Sequence, residues 1–144
     1  MPFPVPSGCL PDAPDEVRGD ECCLTYERLV VLERADLILH GIGTASGMMK
    51  QRRLSHEVQN ELIREGAKGE SFGAYYDLDG RCLMESTNVG VDLARVKPTC
   101  KMIAAAAGAS KAEAIISILR HTKHYLLVTD QGAAERMLRI LKNS

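Results

Sequence analysis

The last third of the chain carries the pattern that most restricts the fold, because strand-like and helix-like apolar segments alternate there. Met102 to Ala106 is a short apolar run typical of a buried strand, and a helix with Ser110 as its N-cap is predicted to run to Arg120. Tyr125 to Thr129 predicts a second strand, and Asp130 is placed to cap an amphipathic helix after it. Strands joined by single helices predict a parallel sheet with right-handed crossovers.

The first half of the chain adds one more strand and a glycine-rich segment. An apolar stripe within Glu21 to Arg34 predicts a helix, and Asp36 to His40 predicts a buried strand that Gly41 ends. Three glycines in Gly41 to Gly47 predict a loop, and Ser55 is placed to cap a short helix that stops at Gly66. This half therefore extends the same α/β pattern.

A small antiparallel hairpin is predicted between these two parts. Tyr75-Tyr76 and Cys82 to Met84 are strand-like, and they flank Asp79-Gly80, a strong signal for a two-residue turn. The predicted fold class is therefore α/β, a Rossmann-like and mostly parallel sheet with flanking helices and one small antiparallel hairpin.

Length and composition predict one folded, cytoplasmic domain. The chain has 144 residues, which suit a single core, and Lys+Arg 18 against Asp+Glu 19 give a formal net charge of −1, so no positive field attracts nucleic acid. The five cysteines form no C-x-x-C pair, which favours reduced thiols. Residues 1–20 are interpreted as coil or broken strand and residues 21–144 as the domain proper, and no apolar run is long enough to span a membrane.

The carboxyl ends of parallel strands predict where a ligand would bind. Ligands of open α/β sheets lie outside these ends, which places Gly41, Gly108 and Asp130 on one rim. The segment His40-Gly-Ile-Gly-Thr44, with Gly41, Gly43 and Thr44, could present backbone N–H groups to a phosphate or a hydroxyl oxygen. A tight turn that needs glycine only for its backbone freedom explains these glycines equally well.

Charged residues near this rim are the other candidate ligands. Lys50, Arg52 and Arg53 follow the glycines closely and could bind a phosphate, although an exposed basic run is usually a solvated face. Lys111 would place its ammonium over the sheet, with a solvent-facing lysine as the alternative. Glu70 is either an acceptor for a sugar hydroxyl or an ordinary loop carboxylate, and Asp130 is a helix cap more readily than a ligand.

The sequence offers no catalytic, metal or cofactor motif. It has no G-x-S-x-G, no P-loop and no H-E-x-x-H, and Gly41-Ile-Gly43 lacks the third glycine of a dinucleotide fingerprint. The candidates together favour a domain that binds a small polyanionic polyol without transforming it, with no cofactor and no metal.

Five ordered segments of the chain resemble the sugar-binding domain of SorC-type bacterial transcriptional regulators. The resemblance spans roughly Ala35 to Leu141 and is carried by these segments: His40-Gly-Ile-Gly-Thr44, Met49-Lys-Gln-Arg-Arg53, Phe72-Gly-Ala-Tyr-Tyr-Asp-Leu-Asp-Gly80, Ala106-Ala-Gly-Ala-Ser-Lys-Ala-Glu-Ala-Ile115 and Val128-Thr-Asp-Gln-Gly-Ala-Ala134. The family fold is similar to that of glucosamine-6-phosphate deaminase and ribose-5-phosphate isomerase. The resemblance implies a domain that senses phosphorylated sugars without consuming them.

The resemblance also implies roles for particular residues. Gly41, Gly43 and Thr44 match the loop near the ligand, Arg52 and Lys111 match phosphate contacts, and Glu70 matches an acceptor for a sugar hydroxyl. The members that regulate glycolytic genes imply fructose-1,6-bisphosphate as the effector. One departure is Ala107-Gly108, where the family usually has two glycines, so one close backbone approach is in doubt.

The resemblance covers only part of what family members contain. They also carry a helix-turn-helix DNA reader and a first half of the effector domain, and neither is found in this sequence, so the chain is interpreted as a C-terminal and incomplete portion. DNA contact is then expected only through the absent reader, and a homo-oligomer is expected by analogy. A phosphosugar isomerase or deaminase relative, and an inactive truncated interaction module, remain as alternatives.

Overall fold

The computed structural model of the chain describes residues 34–85 and 96–143, and these fall into two compact units. In the first unit, the described residues are 34–36 and 96–100, where the Lys97 ammonium donates to the Asp36 carboxylate. That hydrogen bond and the charge of Lys97 lower the pKa of Asp36. The predicted helix over Glu21 to Arg34 and the domain boundary at residue 20 lie outside the described residues, apart from Arg34.

The second unit contains seven strands, four α-helices and a 3-10 turn within its described residues. In chain order they are β1 (Leu37–Gly41), β2 (Gly43–Thr44), α1 (Ala45–Gln51), α2 (His56–Arg64), β3 (Gly69–Ser71), β4 (Ala74–Tyr76), β5 (Cys82–Glu85), β6 (Lys101–Ala105), the 3-10 turn (Ala109–Lys111), α3 (Ala112–His121), β7 (Leu126–Val128) and α4 (Gln131–Lys142). The predicted α/β class is confirmed.

Three of the strands form the parallel sheet that the sequence predicts. The order is β1-β6-β7, with Leu39 opposite Ile103 and Ile103 opposite Leu126. One face carries buried side chains such as Ile38 and Ala104, and the other exposes Leu39 and Leu126. Because the carboxyl ends of all three strands lie at one edge, the segments that follow them are neighbours there.

Four short strands form a separate antiparallel sheet in the order β2-β3-β4-β5. The hairpin predicted at Asp79-Gly80 joins β4 to β5, and Gly80 has the positive φ of +84° that its turn requires. Strands β2 and β3 were not predicted from the sequence. They have two and three residues, which is too short for an alternating pattern to be recognised.

The helix starts follow the predicted caps in two cases and differ in two others. Ser55 and Asp130 cap α2 and α4, as expected. The predicted loop over Gly41 to Gly47 is wrong, because Thr44 accepts a hydrogen bond from Gly47 N and begins α1. Ser110 does not cap α3, because the chain first makes the 3-10 turn and α3 then begins at Ala112 without a side-chain cap.

Two apolar clusters hold the sheets and helices of this unit together. The first joins α3 to both sheets and to α4, through Ile115 and Ile118 of α3, Ala104 of β6 and Ala133 of α4. The second packs α1 and α2 against the antiparallel sheet, with Tyr75 completely buried at its centre. The antiparallel sheet is therefore fixed on both sides, next to the carboxyl edge of the parallel one.

Candidate functional site

The structure brings Gly108 and Asp130 together at the carboxyl edge of the parallel sheet. Asp130 Oδ1 accepts from Ala133 N at 2.9 Å, and Oδ2 accepts from Gly108 N at 3.0 Å. These two N–H groups lower the pKa of the Asp130 carboxyl. The interpretation of Asp130 as a helix cap is confirmed, and the same side chain also holds the loop after β6.

Replacing Asp130 by alanine is expected to lower the melting temperature, since two backbone N–H groups lose their acceptor at once. Asp130→Asn keeps an oxygen acceptor and should lose less. Because the folded-state pKa of Asp130 lies below its ordinary value of 3.8, its stabilisation is present above that value and is lost as the pH falls through the folded-state value. Thermal melts of the three proteins between pH 3 and pH 7 check this, and a constant difference between Asp130→Ala and wild type across that range would contradict it.

Lys111 reaches across the edge of the sheet to the segment between β1 and β2. Its Nζ donates to the backbone oxygen of Ile42 at 2.9 Å, and the side chain is half-buried. Gly108 has φ +100° and begins the turn that carries Lys111 there. The ammonium therefore lies beside Gly41 and Gly43. The sequence analysis expected Lys111 and these glycines at the same edge of the sheet.

Arg52 and Glu70 form a largely buried ion pair between α1 and the antiparallel sheet. Arg52 Nη2 lies 2.7 Å from Glu70 Oε1, and the two side chains are 16% and 5% exposed. Arg52 follows the last residue of α1, and Glu70 is the central residue of β3. Glu70 Oε1 also accepts from Gly73 N at 2.9 Å, so the carboxylate position is fixed by a turn as well as by the guanidinium.

Two nitrogens of the Arg52 guanidinium have no partner among the described residues. Its Nε and Nη1 are buried, and neither donates a hydrogen bond there. Buried N–H groups are nearly always paired in native proteins, and each of these nitrogens shares an edge of the planar guanidinium with Nη2. Arg52 therefore has donors to spare for an anionic group.

Tyr75 is a site residue that the sequence analysis did not select. It lies opposite Glu70 in the pairing of β3 with β4, so the two side chains share a face of the sheet. Its buried hydroxyl has no hydrogen-bond partner within residues 34–85 and 96–143. Burial raises the pKa of Tyr75, the Glu70 charge raises it further and Arg52 opposes them. Only the strand register reveals this residue, because nothing in the sequence pairs position 70 with position 75.

The glycine-rich segment combines packing with access to the site. A Cβ on Gly43 would lie 2.4 Å from Met48 Cγ, so the Met48 side chain would have to move to admit it. The same Cβ would stand 3.4 Å from Glu70 Oε2, so Gly43 lies beside that oxygen. Thr44 uses its hydroxyl to cap α1.

Lys50 and Arg53 differ from Arg52 in their surroundings. Both side chains are exposed, whereas Arg52 between them is half-buried and paired with Glu70. Lys50 and Arg53 therefore form the solvated basic face that was one expectation for this run. Arg52 differs from them in its burial and in its pairing with Glu70.

The described residues show neither a metal cluster nor a spanning helix. Within residues 34–85 and 96–143, no three His, Cys, Asp or Glu side chains are grouped so that they could hold a metal ion. In the same part of the chain, no helix combines the length and apolar character that crossing a membrane requires.

A family model described as "Putative sugar-binding domain" matches residues 27–139 of this chain. The match spans most of the sequence, and the chain belongs to this family.

Curated relatives are similar over the same region. The Central glycolytic genes regulator of Bacillus subtilis (strain 168) is 35% identical over 113 residues, which cover 78% of this chain and 33% of the relative. The regulator of the same name from Priestia megaterium is 34% identical over 114 residues, with the same coverage of 78% and 33%. The chain thus spans about a third of the length of the curated relatives it matches.

Solved structures of regulators share the fold. A protein described as a putative SorC family transcriptional regulator from Enterococcus faecalis matches with a TM-score of 0.72 and 27% identity, over 88% of this chain and 54% of that chain. The full-length sorbitol operon regulator SorC from Klebsiella pneumoniae matches with a TM-score of 0.62 and 24% identity, over 72% and 35%, which supports the fold alone. The SorC resemblance is confirmed, and these relatives are regulators of transcription, which confirms the prediction that the chain is not an enzyme.

Proposed function

We propose that this chain is the effector-sensing part of a bacterial regulator of glycolytic genes, and that its effector is a phosphorylated sugar, fructose-1,6-bisphosphate. The family match supports a sugar as the ligand, and the names of the curated relatives support a regulator of glycolytic genes. In this proposal the domain acts in the cytoplasm, and DNA is contacted by another segment of the regulator.

The observation that carries the proposal is the pair of unpartnered Arg52 nitrogens, Nε and Nη1. A phosphoryl oxygen would accept from one of them, and a second phosphoryl oxygen would accept from the Nη2 hydrogen that Glu70 does not take. A neutral sugar would offer these N–H groups only hydroxyl oxygens, which form weaker hydrogen bonds with a guanidinium, so the site favours a phosphorylated ligand.

Glu70 and Lys111 would complete the contacts. Glu70 Oε1 already accepts from Arg52 and Gly73, so a sugar hydroxyl would donate to Oε2, on the side of Gly43. The Lys111 ammonium has two N–H groups besides the one on the Ile42 oxygen, and these would donate to a second phosphoryl group. Each phosphate of a bisphosphate would then contact one cationic side chain.

Calorimetric titration of the chain with fructose-1,6-bisphosphate, fructose-6-phosphate and fructose tests the proposal. Affinity should fall in that order, and Arg52→Lys and Lys111→Met should each weaken bisphosphate binding by about ten- to a hundredfold, the effect of one charge-assisted contact. Arg52→Lys keeps a charge beside Glu70, so it separates loss of the two-oxygen contact from loss of the fold.

Arg64→Ala is the matched control, since it removes an exposed cation from the last turn of α2. It should bind like wild type. Equal binding by wild type, Arg52→Lys and Lys111→Met would show that the ligand lies elsewhere, and no binding of any phosphosugar by wild type would overturn the proposed effector.

A further inference from the structure

The turn that fixes Glu70 is conformationally unfavourable. Phe72 and Gly73 are the two residues between the paired Ser71 and Ala74, and their φ values are +53° and +88°. Two positive φ values define the type I′ hairpin turn, in which an aromatic first residue is uncommon. Gly73 N donates to Glu70 Oε1, so the turn holds the carboxylate together with Arg52. Such a conformation persists where surrounding contacts enforce it.

His40 of β1 contacts two adjacent residues at the start of the turn, Ser71 and Phe72. Its ring lies 4.5 Å from the Phe72 ring, centroid to centroid, and its Nδ1 lies 3.0 Å from Ser71 Oγ. Neither contact is local in sequence, because β1 belongs to the parallel sheet and the turn to the antiparallel one. His40 thus anchors the turn of one sheet on a strand of the other.

A second histidine fixes the protonation pattern of this anchor. His124 Nδ1 lies 2.8 Å from the Thr122 oxygen, which can only accept, so Nδ1 carries the proton and Nε2 of the neutral ring accepts. His124 Nε2 lies 2.7 Å from His40 Nε2, so the His40 proton is on Nε2. His40 Nδ1 also faces a backbone oxygen, that of Gly41, but at the longer distance of 3.1 Å, so we assign the Nδ1 proton of the neutral pair to His124. In this tautomer Ser71 donates to His40 Nδ1, and His40 Nε2 donates to His124.

The first added proton leaves both contacts of the ring in place. It would enter at His40 Nδ1, and the Ser71 hydroxyl, 3.0 Å away, can accept from it. A second added proton could enter only between the two Nε2 atoms, and two N–H groups that face each other across 2.7 Å would separate the rings. Separation moves His40 away from Ser71 and Phe72, so the hold on the turn weakens when both histidines are charged.

The groups around the His40 ring determine how it takes up a proton. Burial lowers the pKa of His40, the Gly41 oxygen raises it and His124 lowers it further. Ser71, Phe72 and Gly41 are the other groups in contact with the ring, and none of them titrates. Glu70 precedes Ser71 in β3, and successive strand residues point to opposite faces, so its carboxylate lies on the other side of the strand. His124 is thus the titratable group that faces His40 among the described residues.

We propose that His40 is a positioning residue for Glu70, that it acts through the Phe72–Gly73 turn, and that its pairing with His124 makes effector binding sensitive to pH. The proposal rests on the proposed function, since Glu70 is the sugar-hydroxyl acceptor there. As the pH falls, charging of both histidines separates their rings, the turn loosens and Glu70 loses one of the two contacts that orient it. The affinity for the effector then falls.

Calorimetric titration with fructose-1,6-bisphosphate from pH 7.5 to pH 5.5 tests this in wild type, His40→Asn and His124→Gln. The phosphates of the ligand also titrate near pH 6, so affinities are compared between proteins at the same pH, where that contribution cancels. The asparagine introduced by His40→Asn would offer an oxygen to Ser71 but cannot take up a proton. The wild-type affinity relative to His40→Asn should fall by about tenfold over this range, the change that one pKa unit represents.

The other variants separate positioning from a general loss of structure. His124→Gln removes the second charge of the pair while the new amide can still accept from His40 Nε2, so the acid loss should be smaller than in wild type. His56→Gln, at the exposed start of α2, should follow wild type at every pH. A wild-type to His40→Asn affinity ratio that stays constant from pH 7.5 to pH 5.5 would overturn the proposal.

Nuclear magnetic resonance supplies a readout without ligand. The Gly73 amide resonance should move with the same midpoint as the His40 ring in wild type and should stay still in His40→Asn. Ring nitrogen shifts should show the proton on His40 Nε2 and on His124 Nδ1 at pH 7.5. If no phosphosugar binds and Gly73 still follows His40, the proposed function fails and the positioning holds; if the sugar binds and Gly73 ignores His40, the positioning fails alone.

Discussion

Replacing Glu70 by alanine is expected to lower the free energy of unfolding by about 3 kcal/mol. Breaking a buried ion pair costs about 3–5 kcal/mol because the remaining charge is left without compensation, and the 16% exposure of the Arg52 side chain places the loss at the lower end. Gly73 N loses its acceptor in the same substitution, and the strained Phe72–Gly73 turn loses its tie to β3. Urea denaturation, with the slope compared between variants, measures the change.

Two further variants isolate the charge from the hydrogen bonds. Glu70→Gln keeps an oxygen that can accept from Gly73 N and Arg52 Nη2, so it should lose clearly less than Glu70→Ala. Adding Arg52→Met to Glu70→Ala should recover part of the loss, because the uncompensated guanidinium is gone. If Glu70→Ala unfolds at the wild-type urea concentration, the guanidinium simply turns to solvent and the pair does not constrain the fold.

The sequence predicts the parallel sheet because its strands and helices each carry a period that can be recognised. The run from Met102 to Ala106 and the stripe on Ile115, Ile116 and Leu119 need no knowledge of what they pack against. Asp130 is likewise local, since the cap and the N–H group it binds are three residues apart. Features whose cause lies within one turn or one strand were predicted well.

The antiparallel sheet could not be predicted in the same way, because its strands are defined by their partners. Gly43–Thr44 is a strand only because it pairs with Gly69 and Glu70, about 26 residues later. Three glycines in that segment favour a loop on sequence alone. The structure instead uses Gly43 where Met48 leaves no room for a Cβ, and it uses the Thr44 hydroxyl to begin a helix. Long-range pairing and packing decide both points.

The candidate site shows the same division. Arg52 and Glu70 were selected separately, yet their ion pair joins residues 18 apart on two different elements, and no spacing rule connects them. Tyr75 and His40 were not selected as site residues. Tyr75 stands among apolar residues in the sequence, and His40 belongs to a predicted strand, so neither position indicates a binding role. The sequence shows which residues are charged. Whether a charged residue belongs to a binding site depends on its burial and on its partner, and both of these are set by the fold.

Gly80→Ala is expected to destabilise the chain by about 2–5 kcal/mol, for two separate reasons. Gly80 has φ +84°, where a side chain costs about 1–2 kcal/mol. Its Cβ would also lie 2.7 Å from His121 N and 2.9 Å from the Arg120 carbonyl carbon, which are backbone atoms at the end of α3 and cannot move aside. Forcing the β4–β5 turn off that helix adds about 1–3 kcal/mol. It also strains the bond between Arg120 Nη1 and the Leu78 oxygen.

Gly66→Ala is the matched control, because it carries the strain without the collision. Gly66 has φ +82°, nearly the same backbone conformation, and nothing lies within 4 Å of the Cβ that alanine would add. Its cost should be about 1–2 kcal/mol, so the difference between the two variants in urea denaturation reports the packing of the hairpin on α3. Equal losses would mean that the hairpin moves freely from the helix. A larger loss for Gly80→Ala would instead show that the hairpin is held rigidly against α3, the helix whose apolar residues contact both sheets.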